Sequence, residues 1–457
     1  MIQRDDYVVP YFNNRYRFDK PPLTYWAQVA SFRLLGESPF AARFPSAVAA
    51  ALTAVAIFAW GGRFGLERAG FWAAIIFTLC LQTFIHGKAA VADMWLVLFM
   101  TVGHWAGAEL LRDRFAGTWR SVVVRPTGSR GWWWLFYLSL ALAFLSKGPV
   151  GWMPLGTVLI FQFLRPSSYF GGRCFFVRGA VLMLARVALG GVPALLRTGG
   201  EFLEIGLGRH VIGRSFGTMQ GHGSSSILGT IASLPFYFVT VFLTFAPWSW
   251  KIPWLARRLW RGRDAFDLYL IVGCGAVVIV FTIVKTKLPH YILPAFPLLA
   301  LLLARHWLES GMVERTLRRW SLTTATVMLA VALIGFPLLA PLFPSAVLFE
   351  KAKPYLQSEM DFAAYEFDAP SLVWNFRGRV RGFLRYNRKD NRDVGPLQPN
   401  QMPAFLASPG PHFVVLPTAM ADRLYRTLPH GYRKFSAQGF DVARARRIDL
   451  TLIMKNT

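Results

Sequence analysis

Acidic side chains are scarce in this chain. Its 457 residues include 24 Asp and Glu against 50 Lys and Arg, and only 16% of residues are charged. A soluble globular domain carries about 25% charged residues, so that class is a poor fit. Cysteine is equally sparse: Cys80, Cys174 and Cys274 form no CxxC pair, which excludes a zinc ribbon and a disulfide framework. No Walker A loop, dinucleotide fingerprint or HExxH is present, so the sequence signals for P-loop phosphate binding, a Rossmann-type cofactor and a zincin site are all missing. No internal repeat of 20–50 residues is found, which argues against a solenoid.

What is abundant is apolar. Hydrophobic residues make up 54% of the chain, with 39 Phe and 17 Trp, and the mean hydropathy is +0.37. Disorder requires the opposite composition. The net charge of +26 would suit a nucleic-acid binder, but the apolar majority would not. An integral membrane protein accounts for both, with its positive charge in loops on one face or around a phosphate.

About ten apolar stretches approach the roughly 20 residues that cross a bilayer: 43–61, 69–85, 94–111, 132–146, 149–164, 179–196, 227–250, 266–284, 289–304 and 321–341. The connecting loops alternate sharply in charge. Loops 62–68, 112–131, 165–178, 251–265 and 305–320 hold 19 Lys and Arg, whereas 86–93, 147–148, 197–226 and 285–288 hold 7. Basic short loops stay in the cytoplasm, so the second set faces outward. The reading is an α-helical polytopic bundle with three parts. Residues 1–42 form an outer loop with an interfacial helix at 23–36, residues 43–341 the transmembrane domain, and residues 342–457 a small soluble α/β domain on the outer side. Strand-like runs at 412–416 and 448–454 support the last part.

Ten spans also place the N-terminus outside, yet no apolar run precedes residues 1–42 to carry them across. The expectation is one more helix upstream in the natural protein.

The outward loops hold the unusual residues. Asp19 and Lys20 precede two prolines that fix the backbone. Asp93 opens the 94–111 helix, with His86 and Lys88 just before it; a helix N-terminus favours a carboxylate, so a capping role is the simpler alternative. Lys147 sits at the junction of two apolar spans, where an ionisable group points to function or snorkels to the interface. Loop 197–226 carries Arg209, His210, Arg214 and His222, and Lys285, Lys287, His290 and Tyr291 follow further on. Lys and Arg gathered on one membrane face suit a phosphate or diphosphate; a basic rim that attracts anionic headgroups is the alternative. A sugar phosphate carried on a lipid needs cations for the leaving phosphate and a carboxylate to take a hydroxyl proton. Asp19 and Asp93 are the available carboxylates. A divalent metal would find ligands among Asp19, Asp93, His210 and His222, although their spacing is not diagnostic.

Several motifs resemble one family in order along the chain. They are Asp6-Tyr7-Val8-Val9-Pro10, Asp19-Lys20-Pro21-Pro22, Phe40-Ala41-Ala42-Arg43-Phe44-Pro45-Ser46, Ala92-Asp93-Met94 and Leu145-Ser146-Lys147-Gly148-Pro149. Arg209-His210 with Arg214, Gly221-His222-Gly223, Phe236-Tyr237, Ala246-Pro247-Trp248-Ser249 and Lys287-Leu288-Pro289-His290-Tyr291 follow. Over roughly residues 5–300 the set is similar to the lipid-dependent glycosyltransferases of the C-type membrane architecture, whose members include bacterial aminoarabinose transferases of lipid A and protein O-mannosyltransferase-like enzymes.

The resemblance implies an enzyme of the bacterial inner membrane, with its site on the periplasmic side. It would move a sugar from a polyprenyl-phosphate donor to a lipid, glycan or protein acceptor. It further implies that Lys20 and Lys147 hold the lipid phosphate, that Asp19 stands beside it or its metal, and that Asp93 is the acidic residue of the second outer loop. His210 and Arg214 match donor-side residues, and Tyr291 a donor-site tyrosine. Two departures stand out. The family's Asp-Glu pair, with its presumed catalytic base, lies upstream of where this sequence begins, and Arg209 replaces a frequent Glu. A flippase for a phosphorylated lipid and an inactive remnant are the competing readings.

Overall fold

The computed structural model describes residues 1–12, 15–115, 129–166, 176–202, 204–206, 208, 229, 232–311, 314–357, 360–365, 367, 369–376, 385–387, 399–441 and 446–455. The chain divides into two compact units, Met1–Pro10 with Tyr16–Met328, and Tyr11–Arg15 with Leu329–Thr457.

The first unit is a helix bundle. Five helices among the described residues are long and apolar enough to cross a membrane: Pro39–Arg63, Phe176–Arg197, Ala265–Ile283, Pro289–Glu309 and Glu314–Leu342, the last of which continues past Met328 into residues of the second unit. A sixth candidate is the pair Glu67–Thr78 and Leu81–Gly87, bent by 66°. Helices Asp93–Leu110, Ser129–Lys147 and Met153–Leu164 cover the expected stretches 94–111, 132–146 and 149–164. A helix also forms over the stretch 23–36, as Leu23–Leu35. The most apolar window of Glu314–Leu342 has none of its residues buried, and that of Phe176–Arg197 only 17%. Faces this apolar require a bilayer or another apolar cover.

The stretch 227–250 differs from its expectation. Its helix Phe236–Thr244 has Pro235 at the N-cap and Pro247 shortly after the end. Proline lacks the amide that a continuous helix needs, so the apolar run breaks where composition alone reads one span. A separate basic helix, Ile252–Arg261, follows.

Local chemistry sets the helix boundaries. Ser38 caps Pro39–Arg63 by accepting from the Ala41 amide at 3.1 Å, and proline at the first position is preorganised for a helix. Asp264 and Asp267 form a capping box on Ala265–Ile283, with amide bonds of 2.8 and 3.2 Å. Helix Pro39–Arg63 meets Glu67–Thr78 at two glycines: a Cβ on Gly61 would lie 2.5 Å from the Gly70 Cα. A Gly61→Val variant is therefore expected to lose at least about 2 kcal/mol through overpacking, seen as a lower thermal midpoint of the purified protein.

Charge collects at the two ends of helix Asp93–Leu110. At one end, buried Glu109 accepts from Arg112 at 2.7 Å and Arg63 at 3.2 Å. At the other stands Asp93, about 24 Å away at 1.5 Å per residue. Beside the Glu109 end lies an aromatic cluster that includes Phe64 stacked on Phe266 at 5.0 Å and Phe115 against Tyr269 at 5.9 Å.

The second unit holds a five-stranded sheet. With β1 as Asp361–Tyr365, β2 as Arg385–Asn387, β3 as His412–Pro417, β4 as Tyr432–Asp441 and β5 as Arg446–Lys455, the order is β2-β1-β3-β5-β4. Strand β1 pairs in parallel with β2 and β3, while β5 runs antiparallel to β3 and β4. Phe362 and Phe413, paired in register, stack at 4.8 Å on one face. The sheet thus contains both strand-like runs named from sequence, and they lie side by side with Phe413 opposite Met454.

Candidate active site

Helices Asp93–Leu110 and Ser129–Lys147 pack together so that the N-terminus of the first meets the C-terminus of the second. Asp93 is the first residue of one and Lys147 the last of the other. Each charge complements the dipole of its own helix end. The chain leaves Lys147 through Gly148, whose φ of +82° suits glycine. Gly151 then folds back so closely that a Cβ there would lie 2.5 Å from the Ala143 carbonyl carbon. This tight return holds the end of the Lys147 helix in place.

Lys147 Nζ donates to Asp93 Oδ1 in an ion pair that is almost wholly buried. The pair has further company. His290 Nε2 lies 3.8 Å from the same carboxylate oxygen, and the His86 and His290 rings are 4.9 Å apart. Gln82 Nε2 contacts His86 Nδ1 at 2.9 Å and orients that ring. The Lys147 ammonium also sits 4.8 Å from the Tyr291 ring centroid, close enough for cation–π attraction. Tyr291 is held by Phe281 at 4.8 Å and by the edge of His290 at 5.0 Å. Lys20 lies within electrostatic reach of His290.

The structure therefore brings Asp93, Lys147, Tyr291 and Lys20 into one neighbourhood, with His290 and His86 between them. Sequence reasoning noticed both histidines and gave neither a role. The available signals were their positions, His86 in the same loop as Asp93 and His290 beside Tyr291.

Other predicted residues are engaged in contacts of their own. Asp19 accepts from Arg17 Nε at 3.1 Å, beside Tyr25, whose phenol burial pushes above its ordinary pKa. Lys287 donates to the carbonyls of Phe281, at 3.1 Å, Thr282 and Val284, at 2.8 Å. An ammonium has three donors, and these three carbonyls match them, so Lys287 closes the end of helix Ala265–Ile283. Burial lowers its pKa from the usual lysine value. A Lys287→Met variant is expected to lose about 1–2 kcal/mol of stability with the helix end, read from thermal unfolding. His210, Arg214 and His222 lie outside the described residues.

His86, Asp93 and His290 each present a ligand atom, all within 4.8 Å of one another. Two imidazoles and a carboxylate suit a divalent transition metal. The Lys147 ammonium is already on the Asp93 oxygen, however, so such an ion would have to displace it. Of the four ligands expected from sequence, only Asp93 belongs to this trio.

Residues 19–190 match the family described as dolichyl-phosphate-mannose-protein mannosyltransferase. The chain is 30% identical over 324 residues to an undecaprenyl phosphate-alpha-4-amino-4-deoxy-L-arabinose arabinosyl transferase of Sodalis glossinidius, covering 68% of this chain and 54% of that protein. The corresponding transferase of Edwardsiella ictaluri is 26% identical over 311 residues, covering 66% and 52%. The chain spans less than two thirds of the length of these relatives. Among solved structures, ArnT from Cupriavidus metallidurans bound to undecaprenyl phosphate superposes with a TM-score of 0.74 at 18% identity, covering 99% of this chain and 91% of that one. The chain thus shares the fold of ArnT and is similar in sequence to the aminoarabinose transferases, lipid-dependent membrane glycosyltransferases of the C type.

Proposed function

We propose that this protein transfers a sugar from a polyprenyl phosphate to a hydroxyl or phosphate of a lipid, glycan or protein acceptor, at the outer face of the inner membrane. The observation that carries the reading is the buried Asp93–Lys147 pair, seated between two histidines and Tyr291 at one end of the bundle. The similarity to transferases that use undecaprenyl-phosphate-linked aminoarabinose supports the donor class. The low count of basic residues in the loops on the Asp93 and Lys147 side supports the outward orientation.

In this reading Lys147 and Lys20 neutralise the donor phosphate as its bond to the anomeric carbon breaks. The phosphate leaves with the bonding electron pair, and the developing charge meets cations already in place. The acceptor oxygen forms the new bond from the opposite side, which inverts the anomeric centre. Its proton passes to Asp93, the carboxylate beside Lys147. Asp19, paired with Arg17, shapes the approach to Lys20. His210, Arg214 and Lys287 complete the donor side in the family-based reading; the backbone bonds of Lys287 favour a supporting role for it instead.

The test is direct. Membranes carrying the full-length protein are incubated with a polyprenyl phosphate bearing a labelled sugar. Label is expected in a lipid, glycan or protein fraction, and that fraction identifies the acceptor class. Movement of the intact donor between leaflets, with no label transferred, would favour a flippase. Because Lys147 supplies the charge at Asp93, transfer is expected to survive washing with EDTA. Loss restored by added Mn²⁺ or Zn²⁺ would instead put an ion at His86, Asp93 and His290.

A further inference from the structure

The Asp93–Lys147 pair raises a difficulty for any reading in which both residues work. A carboxylate held by an ammonium is a poor base, and an ammonium held by a carboxylate is a weakened phosphate ligand. We infer that Lys147 exchanges partners: it holds Asp93 until the lipid phosphate takes it, and His290 then becomes the neighbour of the released carboxylate. The inference rests on the polyprenyl-phosphate reading above and adds an order of events to it.

Three observations carry it. Lys147 keeps one partner as it leaves Asp93, because the same ammonium lies 4.8 Å from the Tyr291 ring centroid, and its four-carbon stem can swing the charge without moving the helix. Asp93 also has a second partner in waiting. His290 Nε2 is 3.8 Å from the carboxylate oxygen that Lys147 occupies. That is too long for a hydrogen bond, but a small ring movement would close it. His290 is in addition the more open of the two, at 24% side-chain exposure against 11% for Asp93, so it has room to move.

The energetics favour exchange over simple loss. A buried carboxylate stripped of its cation is strongly destabilised. Such a group recovers stability by accepting a hydrogen bond from a neighbouring ring N–H, or by taking the proton of an acceptor hydroxyl. A phosphate that draws Lys147 away therefore turns Asp93 into a better base at the moment the donor is in place. Before that moment the ion pair keeps Asp93 a poor base. Asp93 would touch the reacting hydroxyl, whereas His290 acts through Asp93 and is a positioning residue.

The test is a double-mutant cycle on binding, with the full-length protein in nanodiscs and undecaprenyl phosphate as the probe. Asp93→Asn is expected to tighten binding about tenfold when Lys147 is present, because Lys147 is then free for the phosphate. In a Lys147→Ala background the same change should tighten binding markedly less, and the difference is the coupling. Equal tightening in both backgrounds would mean that Asp93 merely repels the phosphate, and the exchange would be wrong. Weaker binding by Asp93→Asn would overturn it as well. A protein that binds the lipid phosphate without coupling keeps the functional reading and loses the exchange; one that does not bind loses both. Asp93→Glu, which keeps the carboxylate, should bind within about twofold of the parent, and a melt for each variant confirms that it is folded. His290→Gln is expected to weaken binding in the parent, where the released carboxylate needs its new neighbour, but not in Asp93→Asn, a dependence that a purely structural role would not give.

Discussion

Lys147→Ala is expected to reduce sugar transfer by at least a hundredfold, roughly the effect of removing one preorganised charge from a leaving group. The measurement is incorporation of labelled sugar by membranes containing equal amounts of each protein. The substitution also leaves Asp93 without its ammonium, so some stability is lost. The carboxylate keeps the helix N-terminus it sits on and His290 at 3.8 Å, and these soften the loss. A melt run beside the assay separates the two effects. Lys147→Arg sharpens the test. It preserves the charge but replaces a compact ammonium with a planar fork, in a space bounded by Asp93 and the Tyr291 ring. It is expected to restore most of the stability and little of the transfer. Full activity in Lys147→Ala would remove Lys147 from the donor site.

Arg305→Ala is expected to cost about 3–5 kcal/mol, the scale for breaking a buried ion network from one side, with little effect on turnover per folded molecule. Arg305 bonds to Asp264, to Asp267 at 2.9 Å and to Glu309 at 3.0 Å. His306 Nε2 reaches Asp267 at 3.1 Å. Removing the guanidinium leaves the two capping carboxylates of one helix without their shared cation, with His306 in contact with Asp267. Phe266, next to Asp267, stacks on Phe64, the neighbour of Arg63 in the Glu109 pair. The network therefore belongs to the far end of helix Asp93–Leu110, about 24 Å from Asp93. Thermal unfolding of the purified variant reads the stability, and transfer normalised to folded protein reads the independence. Equal losses in both would couple the two ends.

Most helices were legible because an apolar run of 15 or more residues has few other uses. Their ends were legible where a capping residue or a basic loop marks them, as at Ser38 and Asp264. The run 227–250 misled because hydropathy does not see the missing proline amide, and Pro235 and Pro247 bound the short helix found there. The chemistry was legible as residue types and only partly as partners. Asp93 and Lys147 are 54 positions apart, and no local pattern says that two helix ends will meet. Their helix polarity gave a hint, since one opens its helix and the other closes its own. His86 and His290 were left without a role for the same reason, because their closeness to each other is a product of packing. Lys287 shows the reverse error. A lysine just past a helix end commonly serves the last carbonyls, and the pull of a basic outer rim hid that local use.

The meeting of two helix ends at Asp93 and Lys147 has a consequence for how this site can vary. The direction of each chain segment dictates which sign of charge it can carry there. Exchanging the two residues, as Asp93→Lys with Lys147→Asp, conserves net charge and hydrogen-bonding capacity, yet sets each charge against its own helix dipole. Such a swap is tolerated between side chains on strands or loops, which have no comparable polarity. Here the pair is handed, and a reversed version would require the helices themselves to run the other way.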